Sequence, residues 1–415
     1  MNTIAQAAGS AGPAKQHGMA RLFLAVLIAR ATCDPVFEAI KPESGGGMGL
    51  GAIVNLFMLV VAARYYLRRP RAIGRAVAPM WLPFLFAALV STALAPSFSS
   101  SARLFLVQLS YCAVFAIPFY LVRSPADVRP CLHAIVLSSL IPAAFGLAQL
   151  MLQGGWRGGE EYRISATFSH PNIFGFYLVL IMATILYLQR ASGGPTRPAL
   201  RRALWLYTMI LLALLVCTKT RSAWAGPFMV FGLYGMFHRR RLLLYVLLVP
   251  ALLMLDPAVR ERLADLGSNN ESPTQGNVNS FAWRLLLWKA GLNWMDNHHT
   301  GFGYGLDSFK FYSPRFFPLE GPDTWDPHNV YVQLFFEAGV AGLATYAWLF
   351  ARLTGMLRTV HGRDREGATI LFALVFAYVV TSASDNMLYY LSYNWYFWFL
   401  MGAVCAGHRS ANARP

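Results

Sequence analysis

A histidine stands at the start of one long apolar run, in the sequence Asp326-Pro327-His328-Asn329. With Asp326 as helix cap and Pro327 in the first helical position, we expect His328 to lie in the first turn of a helix. The positive end of the helix dipole lowers the pKa of an imidazole there and favours its neutral form. Because a neutral imidazole can accept a proton, His328 is a candidate general base.

Two cations lie in the five residues Thr218–Ser222, where a very tight turn joins two other apolar runs. At the start of a helix the dipole opposes the charges of Lys219 and Arg221 unless an anion joins them. One alternative stays open, in which both side chains mark the membrane interface and extend their charged ends into water. The spacing favours an anion-binding turn.

Three further polar sites stand near the ends of apolar runs. Before the sixth run, Ser169 or His170 could cap a helix that begins with Pro171, and His170 could be no more than a helix-start residue. Arg284 falls on the apolar stripe of a predicted helix, so its head either reaches the lipid headgroups or is held by aromatics beside a phosphate. Asp385, in the turn between the last two runs, either orients a cation or caps the last helix.

Other acidic residues and histidines favour simpler explanations. Glu337 follows His328 by nine positions, so it lies ~14 Å deeper and on the opposite side of the helix. We expect Glu337 to pair with a polar residue of a neighbouring helix, in a structural role. The pair His298-His299 and the scattered acids of the same loop do not have the geometry of a metal site, so no metal is predicted. Those acids are Glu320, Asp323 and Asp326.

The chain that must position these residues is strongly apolar. Of its 415 residues 56% are apolar and 13% charged, against roughly 45–50% and 25% in soluble domains. The net charge of +16 is spread over too apolar a sequence for a nucleic-acid surface. We predict an all-α integral membrane protein, a single polytopic domain over 1–415 embedded in a phospholipid bilayer. Twelve apolar runs are suited to spanning helices: 18–33, 48–67, 79–96, 104–122, 131–152, 172–189, 203–218, 222–237, 242–256, 329–351, 367–384 and 387–407.

The distribution of Lys and Arg predicts the orientation. Most of them fall in alternate loops, on the side that also holds both termini. Because cytoplasmic loops are the basic ones, both termini are predicted to be cytoplasmic and the long loop 257–328 periplasmic. Within that loop, residues 281–297 have helical periodicity and three tryptophans, which predicts an interfacial helix. The glycines of Gly301-Phe302-Gly303-Tyr304-Gly305 allow positive φ or a close approach of the backbone to a ligand.

In their order along the chain, these motifs resemble the superfamily of integral-membrane O-antigen ligases, O-antigen polymerases and O-oligosaccharyltransferases. The position of the long loop before the tenth run supports the same resemblance. The motifs are Arg163 with Thr167-Phe168-Ser169-His170-Pro171-Asn172, then Thr220-Arg221-Ser222, then Arg284 and Trp288 with Gly301–Gly305, and finally His328-Asn329 with Gln333 and Glu337-Ala338-Gly339.

The resemblance implies a glycosyltransferase-C-like fold in the inner membrane of a Gram-negative bacterium, with a periplasmic active site and without cofactor or metal. Such enzymes move a saccharide from an undecaprenyl-diphosphate carrier to an acceptor, which for the ligases is the lipid A-core of lipopolysaccharide. It implies that Arg221 and Arg284 hold the diphosphate while His328 deprotonates the acceptor hydroxyl, with inversion at the sugar. The residues predicted to bind substrate are Lys219, Arg163, Asn329, His170, Asn172 and Asp385.

Three alternatives stay open. Polymerases of the superfamily act on carrier-linked repeats, and oligosaccharyltransferases act on protein Ser or Thr. The oligosaccharyltransferases are generally longer, with an added region after the spans, whereas here 407–415 follows the last run, which argues against a protein acceptor. We favour a ligase over a polymerase. A transporter or lipid flippase would hold its ligand at the bilayer midplane on broken helices, whereas most candidates here lie at outer helix ends.

Overall fold

The computed structural model describes residues 15–33, 50–68, 70, 74–152, 163–191, 197–254, 260, 280–317 and 323–410. Within these ranges the chain consists of helices and their connections and contains no strand. In this part of the chain the helices longer than eight residues are α1 (Lys15–Arg30), α2 (Leu50–Arg68), α3 (Ala78–Leu94), α4 (Phe98–Ala116), α5 (Val128–Ser138), α6 (Leu140–Leu152), α7 (Pro171–Arg190), α8 (Pro198–Cys217), α9 (Arg221–Phe237), α10 (Arg241–Leu253), α11 (Ser280–Trp294), α12 (Ser308–Phe316), α13 (Val330–His361), α14 (Arg365–Thr381) and α15 (Leu391–Ser410).

The predicted all-α membrane fold is confirmed, while the number of crossings stays a prediction. Each of the twelve apolar runs coincides with a helix, and the fifth run forms two, α5 and α6. In the described ranges six helical stretches are long and apolar enough to cross a membrane, and α3 is apolar but shorter. The six are Gly51–Arg68, Phe98–Leu121, Pro125–Leu152, Pro171–Arg190, Pro198–Cys217 and Val330–His361. Of the long loop 257–328, residues 257–259, 261–279 and 318–322 lie outside the described residues.

Helix α7 lies at the centre of the bundle. All its residues from Phe174 to Gln189 are buried, and α5, α8, α9, α14 and α15 pack around it. A helix that is apolar on every side is expected to be enclosed in this way. The arrangement brings the start of α7 and the start of α9 to the connection between α14 and α15.

Helix α13 is broken at Gly339, where φ is +63° and ψ is −159°. In a straight helix Val340 N and Ala341 N would donate to the carbonyls four residues earlier, those of Phe336 and Glu337. Here Val340 N donates to Thr300 O at 2.8 Å and Ala341 N to Gly301 O at 3.1 Å.

The carbonyls that the break releases are bonded by the segment Gly301–Gly305, which we call the glycine segment. Tyr304 N donates to Phe336 O and Gly305 N to Glu337 O, both at 2.9 Å. A Cβ on Gly303 would lie 2.4 Å from the Glu337 carbonyl carbon. The predicted positive φ is confirmed for Gly303 and Gly305, and the close approach that these glycines permit is to the backbone of α13.

A second apolar core packs residues 280–317 of the chain against α13. Leu287 of α11, Phe309 of α12, Phe317 and Phe336 of α13 are all buried in it. Trp294 stacks on Phe336 with ring centroids 6.0 Å apart and an interplanar angle of 21°. The predicted helix over 281–297 is confirmed as α11, which ends at Trp294.

Candidate active site

A pocket of about 350 Å³ opens where several helix ends meet. It combines the start of α7, the start of α13, the residues around the start of α12, and the connection from α14 to α15. The lining residues are Leu104, His170, Ile173, Asp307, Lys310, Asp326, His328, Gln333, Asn386, Tyr389 and Tyr390. Two predicted site residues, His170 and His328, therefore face the same cavity.

His328 lines the pocket from a strained backbone position. Its φ is +50°, in the left-handed region that residues with a Cβ rarely adopt. Among the described residues its Nδ1 is buried without a hydrogen-bond partner. Burial lowers the pKa of His328, and the Arg284 guanidinium lowers it further, while Asp385 and Asp326 oppose the shift. The neutral form predicted for this imidazole is thus favoured, chiefly by burial.

The predicted start of this helix is wrong by three residues. Asn329, not Asp326, is the cap, and its Oδ1 accepts from Tyr331 N at 2.9 Å and Val332 N at 3.1 Å. Pro327 and His328 therefore precede the helix. The carbonyl of Pro327 accepts a hydrogen bond from the Trp288 indole N–H at 2.5 Å and not from a backbone N–H of α13. The side-chain oxygen of Asn329 is occupied by capping, so substrate binding by this residue stays a prediction for its amide nitrogen.

Arg284 of α11 reaches inward to the connection between α14 and α15. Its Nη1 donates to the Ser384 carbonyl at 2.6 Å. The guanidinium thus hydrogen-bonds to the protein backbone next to Asp385. In the alternative considered above it would instead reach the lipid headgroups. Its charge lowers the pKa of both His328 and His170, which places one cation within electrostatic reach of both imidazoles.

Asp385 joins three parts of the structure and is 1% exposed. Its Oδ1 accepts from Asn172 Nδ2 at 2.9 Å and also from the Tyr390 hydroxyl. Its Oδ2 accepts from Ser222 Oγ at 2.6 Å. Since α15 begins only at Leu391, Asp385 does not cap it, and that alternative is wrong. The carboxylate instead ties the starts of α7 and α9 together.

Asn172 and Arg163 hold the turn before α9. Asn172 Oδ1 accepts from Arg163 Nη2 at 2.7 Å and from Thr220 Oγ1 at 3.3 Å. Arg163 also donates from Nη2 to Thr220 Oγ1 at 2.8 Å and from Nε to Thr218 O at 2.9 Å. Both polar atoms of the Asn172 amide are bonded to protein, so its geometry is that of a positioning residue.

The predicted tight turn between α8 and α9 is confirmed. Helix α8 ends at Cys217 and α9 begins at Arg221, and Lys219 between them is left-handed, with φ +51°. Both cations therefore stand at the start of α9. The turn is linked to the site through Ser222, which follows Arg221 and bonds to Asp385.

His170 caps α7, and Pro171 occupies the first helical position, as predicted. His170 Nδ1 accepts from Asn172 N at 3.1 Å. Burial lowers the pKa of His170, and Arg163 acts in the same direction. Capping thus fixes the imidazole ring of His170, which is one of the residues that line the pocket.

Glu337 lies immediately behind the pocket. Its Oε1 accepts from Gln333 Nε2 at 3.0 Å and its Oε2 from the Tyr389 hydroxyl at 2.7 Å. The polar partner expected outside α13 is Tyr389, which belongs to the 3-10 turn Met387–Tyr389, and Gln333 of α13 itself is a second partner. Gly339 contributes the break in α13.

Residues 206–347 of the chain match the family model described as O-antigen ligase. That stretch contains the turn before α9, Arg284, the glycine segment, His328 and the broken part of α13. The resemblance to the O-antigen ligase superfamily is confirmed. None of the curated proteins compared with the chain matches it.

Several lining residues of the pocket were not predicted from the sequence. Asn386, Tyr389 and Tyr390 follow Asp385 in an apolar run, and Asp307 and Lys310 lie in the long loop 257–328. Gln333 carried a signal, since it stands among the motif residues after His328. Within the described ranges, no three His, Cys, Asp or Glu residues are grouped so that they could hold a metal ion; Glu320 of the predicted acidic loop lies outside those ranges.

Proposed function

We propose that this chain is an O-antigen ligase. It transfers polysaccharide from undecaprenyl diphosphate to the lipid A-core of lipopolysaccharide at the periplasmic face of the inner membrane. The observation that supports this most is the convergence of residues from distant motifs on one pocket. His170 and His328 line it, and Arg284 and Asp385 lie within electrostatic reach of both imidazoles.

The cations act on the leaving group. When the bond between the anomeric carbon and the carrier phosphate breaks, negative charge grows on the diphosphate. Three cations stabilise that charge more in the transition state than in the ground state: Arg284, Arg221 and Lys219. The last two belong to the turn that Ser222 joins to the site. Arg163 supports them indirectly, since its guanidinium is bonded to Thr218 and Thr220 of that turn.

His328 acts on the acceptor. Its neutral imidazole takes the proton of an acceptor hydroxyl as that oxygen bonds to the anomeric carbon, on the side opposite the leaving diphosphate, so the configuration inverts. Burial and Arg284 keep the imidazole neutral beforehand, and the Asp385 charge stabilises the imidazolium once formed. Proton transfer by such a base typically contributes 10²–10⁴-fold to the rate. No metal ion or cofactor enters these steps.

Several residues predicted to bind substrate have other roles in this proposal. Asn172 and Asp385 position the starts of α7 and α9 through their mutual hydrogen bond. Asn329 sets the start of α13 by capping it. His170 remains a direct substrate contact because it lines the pocket.

The lipopolysaccharide of a strain lacking this protein tests the proposal on a gel. We expect core and carrier-linked polymer to persist while the joined product disappears, and the wild-type gene to restore it. Loss of the polymer itself would favour a polymerase. Carrier-linked units retained on the cytoplasmic side would favour a flippase, an alternative that the break in α13 also suits.

A further inference from the structure

The pocket lining contains two amide side chains to which the proposed function gives no role. Gln333 and Asn386 both line the cavity and are only 1% and 7% exposed. Gln333 is held from one side, since its Nε2 donates to Glu337 Oε1 at 3.0 Å. Within the described part of the chain, Gln333 Oε1 and Asn386 Oδ1 are buried and accept no hydrogen bond.

Buried acceptors without a donor are unfavourable, and folded proteins keep few of them. The buried amide oxygens of Asn55 and Gln108 also lack a donor among the described residues. Gln333 and Asn386 differ from them in lining a single cavity, where a ligand can supply the donors. The cavity of about 350 Å³ falls within the range of roughly 300–1,000 Å³ that is typical of small-molecule sites.

The chemistry of these oxygens distinguishes between the parts of the substrates. An ionised diphosphate offers only acceptor oxygens, so it gains nothing from an amide carbonyl. A sugar hydroxyl can donate to one. Two carboxyl groups of the same lining, Asp307 and Asp326, add further acceptors and, where ionised, disfavour phosphate. Lys310 Nζ lies 3.9 Å from Asp326 Oδ2 and offsets part of that charge. This side of the pocket therefore suits hydroxyl groups, whereas Arg284 and the turn before α9 suit the diphosphate.

We propose that Gln333 and Asn386 bind hydroxyl groups of the acceptor sugar beside His328, in a subsite that selects an uncharged, hydroxyl-rich ring and excludes phosphate. The inference rests on the proposed function, because it takes His328 as the base that deprotonates the acceptor. Glu337 then has a positioning role, since its carboxyl group holds the nitrogen of Gln333 and leaves the oxygen for the sugar.

The test uses full-length protein in lipid nanodiscs, with a polysaccharide-bearing undecaprenyl-diphosphate donor and purified rough lipopolysaccharide, which ends in core sugar, as acceptor. Asn386→Leu removes the amide at the same number of side-chain heavy atoms, and Gln333→Leu removes it with the loss of one heavy atom. For each variant we expect the acceptor KM to rise about 5- to 10-fold, the loss of one hydrogen bond, while the donor KM stays within about twofold of wild type. Binding of rough lipopolysaccharide without donor should weaken by the same factor.

The chain offers matched controls for a general loss of packing. Asn55 in α2 and Gln108 in α4 are buried amides whose oxygens also lack a donor among the described residues, and neither lines the pocket. We expect Asn55→Leu and Gln108→Leu to leave both KM values unchanged. A wild-type acceptor KM in the Asn386 and Gln333 variants, or a rise in donor KM alone, would overturn the inference and leave the ligase proposal standing. A wild-type protein that transfers nothing to rough lipopolysaccharide would overturn both.

Discussion

The unusual backbone of His328 allows its chemical role to be separated from its structural one. Its φ of +50° is left-handed, so glycine suits this position better than any residue with a Cβ. We therefore compare His328→Gly with His328→Ala. Both variants lose the imidazole, but only glycine also relieves the strained conformation.

The expected difference in stability follows from two opposing terms. A residue with a Cβ in the left-handed region costs roughly 1–2 kcal/mol, and glycine loses about 0.5–1 kcal/mol more conformational entropy on folding. The glycine variant should therefore have the higher free energy of unfolding, by about 1 kcal/mol. Catalysis should fall 10²–10⁴-fold in both variants, which adds about 3–5 kcal/mol to the activation barrier.

Unfolding in detergent measures the first difference, and transfer of polysaccharide to rough lipopolysaccharide measures the second. Added imidazole should restore part of the activity of His328→Gly, because the missing ring leaves space for it beside the acceptor. His298, which is exposed in the turn Asn297–His299, provides the control, since His298→Ala should retain activity and not respond to imidazole. Near wild-type activity in either His328 variant would refute the base, and a glycine variant less stable than the alanine variant would refute the argument from strain.

Two further predictions concern the break in α13 and the acidity of the pocket. Gly339→Ala should abolish accumulation of folded protein, since its Cβ would lie 2.4 Å from the Gly301 backbone, whereas Gly355→Ala in the same helix meets nothing within 4 Å and should fold normally, as judged by size-exclusion chromatography. Because activity needs neutral His328, whose pKa is lowered, the acid limb of the pH-rate profile should lie below pH ~6.5. Asp326→Asn removes a charge that raises this pKa, so the limb should move to still lower pH, and an upward shift would contradict the assignment.

Much of the helical framework could be predicted from the sequence because apolar run length is a local property. The start of α13 could not, since Asp326 and Asn329 are both good caps and the choice depends on distant contacts. Val330 N donates to Ser382 O at 2.8 Å, and Trp288 occupies the carbonyl of Pro327. Local spacing carries no information about such partners.

The candidate site shows the same division. Residue type beside apolar runs predicts His328, Arg284 and the turn with Lys219 and Arg221 as site residues. In the structure Arg284 bonds to Ser384 next to Asp385, and Ser222 of that turn bonds to Asp385 itself. The charge of Asp385 also acts on His328. The engagement of Asn172 by protein could not be predicted, because its partner Asp385 is 213 positions away along the chain. The break at Gly339 was equally hidden, since glycine is common in continuous membrane helices.

The pairing of the glycine segment with α13 limits how substrates can enter. Pulling Gly301–Gly305 away would leave Ala341 N and Phe336 O of α13 without these hydrogen bonds, whereas Glu337 O would still accept from Ser91 Oγ at 2.7 Å. Each buried backbone group left without a partner costs roughly 1–3 kcal/mol. Helices α11 and α12 are therefore not free to swing as a hinged cover. On the proposed function, we therefore expect a lipid-linked donor to enter the site without α11 and α12 swinging away from α13.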